Sequence, residues 1–166
     1  MTRNTARELA VQIVFGAAHS ELDPAAFAAD LLTEEHFASL SEESELYAEL
    51  PKNKYMDYIT AVTSRVFENL TQIDAMIQKY SIAREVKRIS GTALAVLRVA
   101  VCELLYMAED VPAGVAINSA VEIAKGYDSE ETVSFINGVL GSIARESAAP
   151  QADAAVEAAP EEAALS

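Results

Sequence analysis

Apolar residues recur along this chain at the three- and four-residue spacing of helices, and no segment sustains the alternation of a half-buried strand. Ala6, Leu9, Ala10, Ile13, Val14 and Ala17 mark a first helix ending near Ala18. Thr5-Ala6-Arg7-Glu8 has the form of a capping box, in which a hydroxyl and a carboxylate exchange bonds with two orphan N–H groups. Asp23-Pro24 predicts the N-cap and first-turn proline of a second helix, with Phe27, Leu31 and Leu32 turned inward. Ser39 to Glu49 predicts a loop or a weak helix. After Pro51, a stripe runs from Tyr55 through Tyr58, Ile59, Val62, Val66 and Leu70 to Ile77, long enough for one helix or for two with a bend. Ser81 to Ser90 is short and basic, with helical potential. Thr92 to Ala108 is apolar nearly all round, the pattern of a helix enclosed by others. Asp110-Val111-Pro112 stops it, because proline cannot continue a helix and disfavours the α conformation in the residue before it. A helix over Ala113 to Lys125 then closes near Gly126, which suits a left-handed cap. Asp128-Ser129-Glu130-Glu131 opens the last helix, through Phe135, Ile136, Val139, Leu140 and Ile143. The expected fold is all-α, with six or seven helices.

A length of 166 residues with 51% apolar content suits one domain with a sizeable core. Six Gly and five Pro are too few for a loop-rich all-β fold, and a single Cys excludes a disulfide framework and multi-cysteine metal sites. The N-terminus lacks the apolar run of a signal peptide. Arg98 and Glu103 interrupt the most apolar window, which therefore reads as a buried helix and not a membrane span. A soluble cytoplasmic protein is expected.

The net charge of −14 would oppose nucleic acid if it were spread evenly, since phosphate repels it. It is not. Residues 21–50 carry nine acids and no Lys or Arg, and residues 147–166 carry four acids and no base. Residues 79–98 hold Lys79, Arg84, Lys87, Arg88 and Arg98 against Glu85 alone. Local patches, not the total, decide the partner. From residue 148 onward the chain is rich in Ala, Pro and Glu without aromatics, too poor in apolar surface to offset ordering entropy, so 148–166 is expected to be a disordered acidic tail.

Catalytic chemistry finds little support. His19 and His36 have no metal-ligand spacing, Cys102 sits among Val101, Leu104 and Leu105 as a core thiol, and the Glu34-Glu35 and Glu42-Glu43 pairs belong to a solvated acidic run. No phosphate-binding glycine loop is present. No cofactor, no metal and no enzymatic activity are expected.

Two stretches are similar to one known family. Val96-Leu97-Arg98-Val99-Ala100-Val101-Cys102-Glu103-Leu104-Leu105-Tyr106, followed by Asp110-Val111-Pro112, resembles the LR-A-x-x-E-L-L-Y…D-V-P signature of the bacterial antitermination factors of the NusB family. Val115-Ala116-Ile117-Asn118-Ser119-Ala120-Val121-Glu122-Ile123-Ala124-Lys125 and Phe135-Ile136-Asn137-Gly138-Val139-Leu140 resemble its V-A-I-N-E-A-V-E-L-A-K and F-V-N-G-V-L. Ala6 to Phe15 resembles its opening A-R-E-x-A-V-Q-x-L-Y. The resemblance implies one helical domain over residues 1–147 in two packed subdomains, about 3–80 and 81–147. It implies binding of single-stranded boxA-type RNA together with NusE, a ribosomal small-subunit protein, within an RNA polymerase antitermination complex, and no membrane.

The family's RNA surface is formed by the N-terminal arm, the first helix and the start of the last helix. Carried onto this chain, it implies Arg3, Arg7, Phe15, Thr132, Ser134 and Phe135 as RNA-binding residues. The arm offers only Arg3 and Arg7, where many members carry an arginine cluster, and each missing phosphate contact weakens the electrostatic term. Phe15 and Phe135 stand where an exposed ring would stack on an unpaired base, and burial of either ring in the core is the alternative. Arg98 and Glu103, five residues apart, point to different sides, and each is expected in an ion pair. Gly138 and Gly141 suggest a close helix approach, and Asn118 a polar contact between helices. Two other functions stay in view: an interaction module that keeps the NusE contact and binds RNA weakly or not at all, and an RNA cytosine methyltransferase, which the missing Rossmann fingerprint opposes.

Overall fold

The structure, a computed structural model, describes residues 1–82 and 86–165, with side chains for 1–82 and 87–148. Eight α-helices follow one another among the described residues: α1 (Arg3–Ala18), α2 (Pro24–Leu31), α3 (Glu34–Leu40), α4 (Lys54–Glu68), α5 (Leu70–Tyr80), α6 (Gly91–Tyr106), α7 (Ala113–Lys125) and α8 (Glu130–Leu165). Short 3₁₀ turns lie at Glu45–Tyr47 and Val86–Arg88. No strand occurs among the described residues. The expectation of a disordered tail at 148–166 falls on residues whose side chains, from 149 onward, lie outside those described.

Local chemistry accounts for most boundaries. Asp23 accepts from the N–H groups of Ala25 and Ala26 and Pro24 occupies the first turn of α2, as its sequence predicts. α1 begins earlier than the Thr5 capping box implies. Thr2 is the N-cap, its hydroxyl accepting from the Thr5 N–H at 3.1 Å, so Thr5 lies inside the first turn. The Ser39–Glu49 stretch divides between α3, capped by Thr33, and the first 3₁₀ turn. The long stripe after Pro51 is two helices. They meet at Asn69, whose φ of −120° and ψ of 22° leave the helical region, and whose side-chain amide donates to the Arg65 carbonyl. Gly126 ends α7 with φ −79°, a right-handed and not a left-handed cap, its N–H reaching back to Ile123. Gly138 faces open space, and Gly141 faces Arg145 of its own helix, so neither admits a neighbouring helix.

α6 is the centre of the molecule. It packs against α1, α4, α5, α7 and α8, and buries Ala93, Val96, Leu97, Val99, Val101 and Leu104 on different sides. That arrangement explains why its apolar residues surround the axis instead of forming one stripe. One contiguous core joins Leu9, Ile13 and Val14 of α1 to Ile59 and Val62 of α4, Ile73 and Ile77 of α5, and Ile136 and Leu140 of α8. It continues across the subdomain boundary expected near residue 80. Each fully buried aliphatic side chain contributes about 1.5–3 kcal/mol. No helix among the described residues is long and apolar enough to cross a membrane.

Candidate nucleic-acid interface

α1 presents two faces with different tasks. On the inner face, Arg7 is 2% exposed and Glu103 fully buried, and the guanidinium meets the carboxylate through Nε–Oε1 at 2.8 Å and a second N–O contact at 2.9 Å. The remaining nitrogen donates to Asn4 at 2.7 Å. Burial alone would pull the Arg7 pKa down; the bonds to Glu103 outweigh it and hold the guanidinium charged. Direct phosphate contact by Arg7, implied by the resemblance, does not fit this placement: the side chain is buried, with three of its donors on Glu103 and Asn4. The pair joins residues 96 apart and ties α1 to the α6 centre. Arg98 makes a separate, half-buried fork to Asp74 of α5 at 2.9 and 2.8 Å. Both expected ion pairs are present, on different sides of α6.

The outer face of α1 carries Glu8, Gln12 and Phe15, one helical turn apart in succession. Tyr127, from the loop before α8, donates to Glu8 at 2.6 Å and accepts from the Gln12 amide at 2.9 Å. Desolvation together with the Glu8 bond pushes the tyrosine pKa up to about 12, so it serves as a neutral hydroxyl. Phe15 is 38% exposed. Its ring lies tilted against the His19 ring, centroids 4.9 Å apart, while the imidazole Nδ1 bonds the Phe15 carbonyl at 2.8 Å. Against the ring sits Gly91, where an added Cβ would come within 2.7 Å of a ring carbon. The missing side chain at the start of α6 leaves the room that the Phe15 ring occupies.

Ser90, the α6 N-cap, accepts from the Ala93 N–H at 3.2 Å and donates to Asp128 at 3.3 Å. The Ser129 hydroxyl then accepts from the Thr132 N–H at 3.3 Å and donates to the Thr132 hydroxyl at 3.2 Å at the opening of α8. The end of α1 thus meets the start of α6 at Phe15 and Gly91, and Ser90 links that start to Asp128 ahead of α8. Ser134 is exposed and lines a mixed cleft of about 460 Å³ between α7 and α8, with Asn118, Val121, Lys125, Val133 and Asn137. Asn118 is exposed there, so it does not close the interhelical contact expected of it. Phe135 is half-buried and packs against the core. Arg3 is exposed, its guanidinium 4.5 Å above the Tyr58 ring, about 18 Å along α1 from Phe15 at 1.5 Å per residue. Of the six residues implied by the resemblance, Phe15 lies where α1 meets the start of α6, Thr132, Ser134 and Phe135 share the opening of α8, Arg3 stands apart and Arg7 is internal. His19 and Tyr127 are the members that sequence reasoning missed. The four-residue step from Phe15 to His19 was a usable signal, whereas the reach of Tyr127 over more than a hundred residues was not. Cys102 lies in the core with its thiol pKa raised to about 12 by desolvation, then by Glu103, which makes it an inert thiol.

An all-helical scaffold built around one enclosed helix, with an exposed aromatic pair where α1 meets the start of α6, defines a helical binding protein. The model of the NusB family matches residues 4–145. A transcription antitermination protein NusB of Alkaliphilus oremlandii is 34% identical over 141 residues, covering 85% of this chain and 91% of its own. Its counterpart in Carboxydothermus hydrogenoformans is 37% identical over 145 residues, covering 87% and 93%. Among solved structures, T. maritima NusB superposes with a TM-score of 0.72 at 28% identity, over 88% of this chain and 92% of that one. A crystal structure of antitermination factors NusB and NusE in complex with dsRNA shares the fold, with a TM-score of 0.69 at 22% identity over 87% and 96%. The chain belongs to the NusB family.

Proposed function

We propose that this protein is a cytoplasmic, non-catalytic transcription antitermination factor that binds single-stranded boxA-type RNA jointly with NusE in an RNA polymerase antitermination complex. The observation that carries the reading is the Phe15–His19 ledge: a ring 38% exposed, held between His19 and Gly91 at the start of α6. An exposed ring on rigid helix ends stacks on an unpaired base at little ordering cost, a contact of roughly 1–3 kcal/mol. Thr132 and Ser134 supply hydroxyls for base edges or sugar at the opening of α8, and Phe135 supports that end of the helix. Relatives in this family are named as transcription antitermination proteins, and a structural neighbour is described with NusE and RNA.

The experiment is a titration of labelled boxA-type RNA with and without purified NusE. Phe15→Ala is expected to weaken binding by roughly 1–3 kcal/mol with the salt dependence unchanged, since stacking releases few counterions. Phe135→Ala is compared beside it, with unfolding measured on both, because a half-buried ring that only stabilises the fold lowers the melting temperature before it lowers affinity. One observation favours the second reading, an interaction module that binds NusE and little RNA: with Arg7 internal, the arm retains Arg3 as its exposed arginine. NusE binding without any RNA binding selects that reading.

A further inference from the structure

Asn118 and Asn137 are members of the sequence motifs that the reading above leaves without a task. Asn118 of α7 and Asn137 of α8 are both exposed and line the cleft of about 460 Å³ between the two helices, together with Ser134. Neither carboxamide, nor the Ser134 hydroxyl, has a hydrogen-bond partner among the described residues. A carboxamide carries two donor protons and an acceptor oxygen, so two helices present unspent bonding groups to one space. The charged residues that line it are Lys125, paired with Glu122 at 3.0 Å, and the acids Asp128 and Glu130. One Asp128 oxygen accepts from Ser90, and the other is buried without a partner. Val121 and Val133 add apolar surface.

We propose that this cleft is a base-reading pocket of the RNA surface, in which Asn118 and Asn137 bond the edge of an unpaired base that carries an exocyclic amino group, adenine or cytosine. The pocket depends on the RNA reading above and adds a sequence-specific element to it. Charge selects a base over the backbone: Asp128 and Glu130 repel phosphate, and the one lysine is already shared with Glu122. Chemistry then selects among bases. A carboxamide meets adenine through two bonds at once, its oxygen accepting from the amino group and its NH₂ donating to a ring nitrogen. A carboxylate accepts from the cytosine amino group. Uracil presents a carbonyl oxygen in that place, which the acids disfavour. The volume falls within the range of about 300–1,000 Å³ typical of small-ligand sites, room enough for one splayed base. Thr132, Ser134 and Phe135 lie on the same opening turns of α8 as Asn137, so the pocket is continuous with that part of the RNA surface.

The test uses the full chain, purified NusE and labelled single-stranded boxA-type RNA in which each adenine is replaced singly by purine and each cytosine by uracil. With the wild type, one replacement is expected to weaken binding by at least about fivefold, and its position tells adenine from cytosine. Asn118→Ala with Asn137→Ala is expected to weaken binding of the unmodified RNA by a similar factor and to make that same replacement silent. The slope of log affinity against log salt is expected to stay unchanged, because no charge is removed. Both side chains are exposed, so thermal unfolding of the double variant should match the wild type. If the double variant melts lower, Asn118→Ala and Asn137→Ala are judged singly by the same loss of coupling to the replaced base. Losses that simply add, or an asparagine variant that binds every RNA as the wild type does, overturn the pocket. In either case, affinity still sensitive to Phe15→Ala leaves the RNA reading standing. A wild-type protein that binds no RNA with or without NusE overturns both.

Discussion

Arg7 shows how a residue type misleads when its partner is remote. An arginine near a basic arm reads as a phosphate ligand, yet here it is bound on three sides by Glu103 and Asn4. Removing one member of a buried pair leaves an uncompensated charge and costs about 3–5 kcal/mol, whereas replacing both by apolar residues of similar volume is often nearly neutral. Arg7→Met is accordingly expected to lower the urea midpoint strongly, and Arg7→Met with Glu103→Leu to recover much of it. Under conditions where Arg7→Met is folded, its RNA salt slope should equal that of the wild type; a flatter slope would return Arg7 to the interface. Phe15 differs because its environment is local. Its ring is supported by His19 one turn later and by a glycine that leaves room for it.

At the scale of elements, α6 carries both the core and the site. Leu97 is fully enclosed where five helices meet, so Leu97→Ala is expected to cost about 2–5 kcal/mol in denaturant unfolding. A loss below 1 kcal/mol would mean that α6 is not central. The N-terminal end of the same helix positions Phe15. No glycine among the described residues has a positive φ, so the backbone at Gly91 accepts alanine, and the added Cβ acts on the ring alone. Gly91→Ala is expected to displace Phe15 and lower RNA affinity in the direction of Phe15→Ala, without altering the salt slope. Equal affinity in the titration would show that the seat of the ring does not matter.

Across the whole molecule, acid is concentrated in residues 21–50, while exposed Lys and Arg are spread over several elements. The net charge of −14 therefore does not exclude RNA at other faces, and RNA binding is expected to weaken with salt. The core also imposes an alkaline limit. The buried Cys102 thiol is raised from an ordinary 9.0 to about 12 by desolvation, so the folded state keeps a proton that the unfolded chain releases. Stability from this group is complete below pH 9 and is lost as pH rises from 9 toward 12. Unfolding measured over that range should decline less steeply in Cys102→Val than in the wild type; parallel curves would remove the thiol from the account.

The sequence by itself determined the helical class, the inward faces of most elements and the enclosure of α6, because burial on one helix is written in its own 3.6-residue period. Asp23-Pro24 and the stop at Asp110-Val111-Pro112 were legible for the same reason: caps and breakers act within a few residues. Periodicity left the division at Asn69 open, since a stripe continues smoothly through a bend. What only the tertiary structure decided was pairing between elements: Arg7 with Glu103, Tyr127 with Glu8, and Phe15 on Gly91. Each joins positions roughly 75 to 120 residues apart, and no local pattern encodes which surfaces a folded chain brings together. The candidate interface is made of such meetings, so its residue types could be read in advance, while the division of its cations between core and surface waited on the fold.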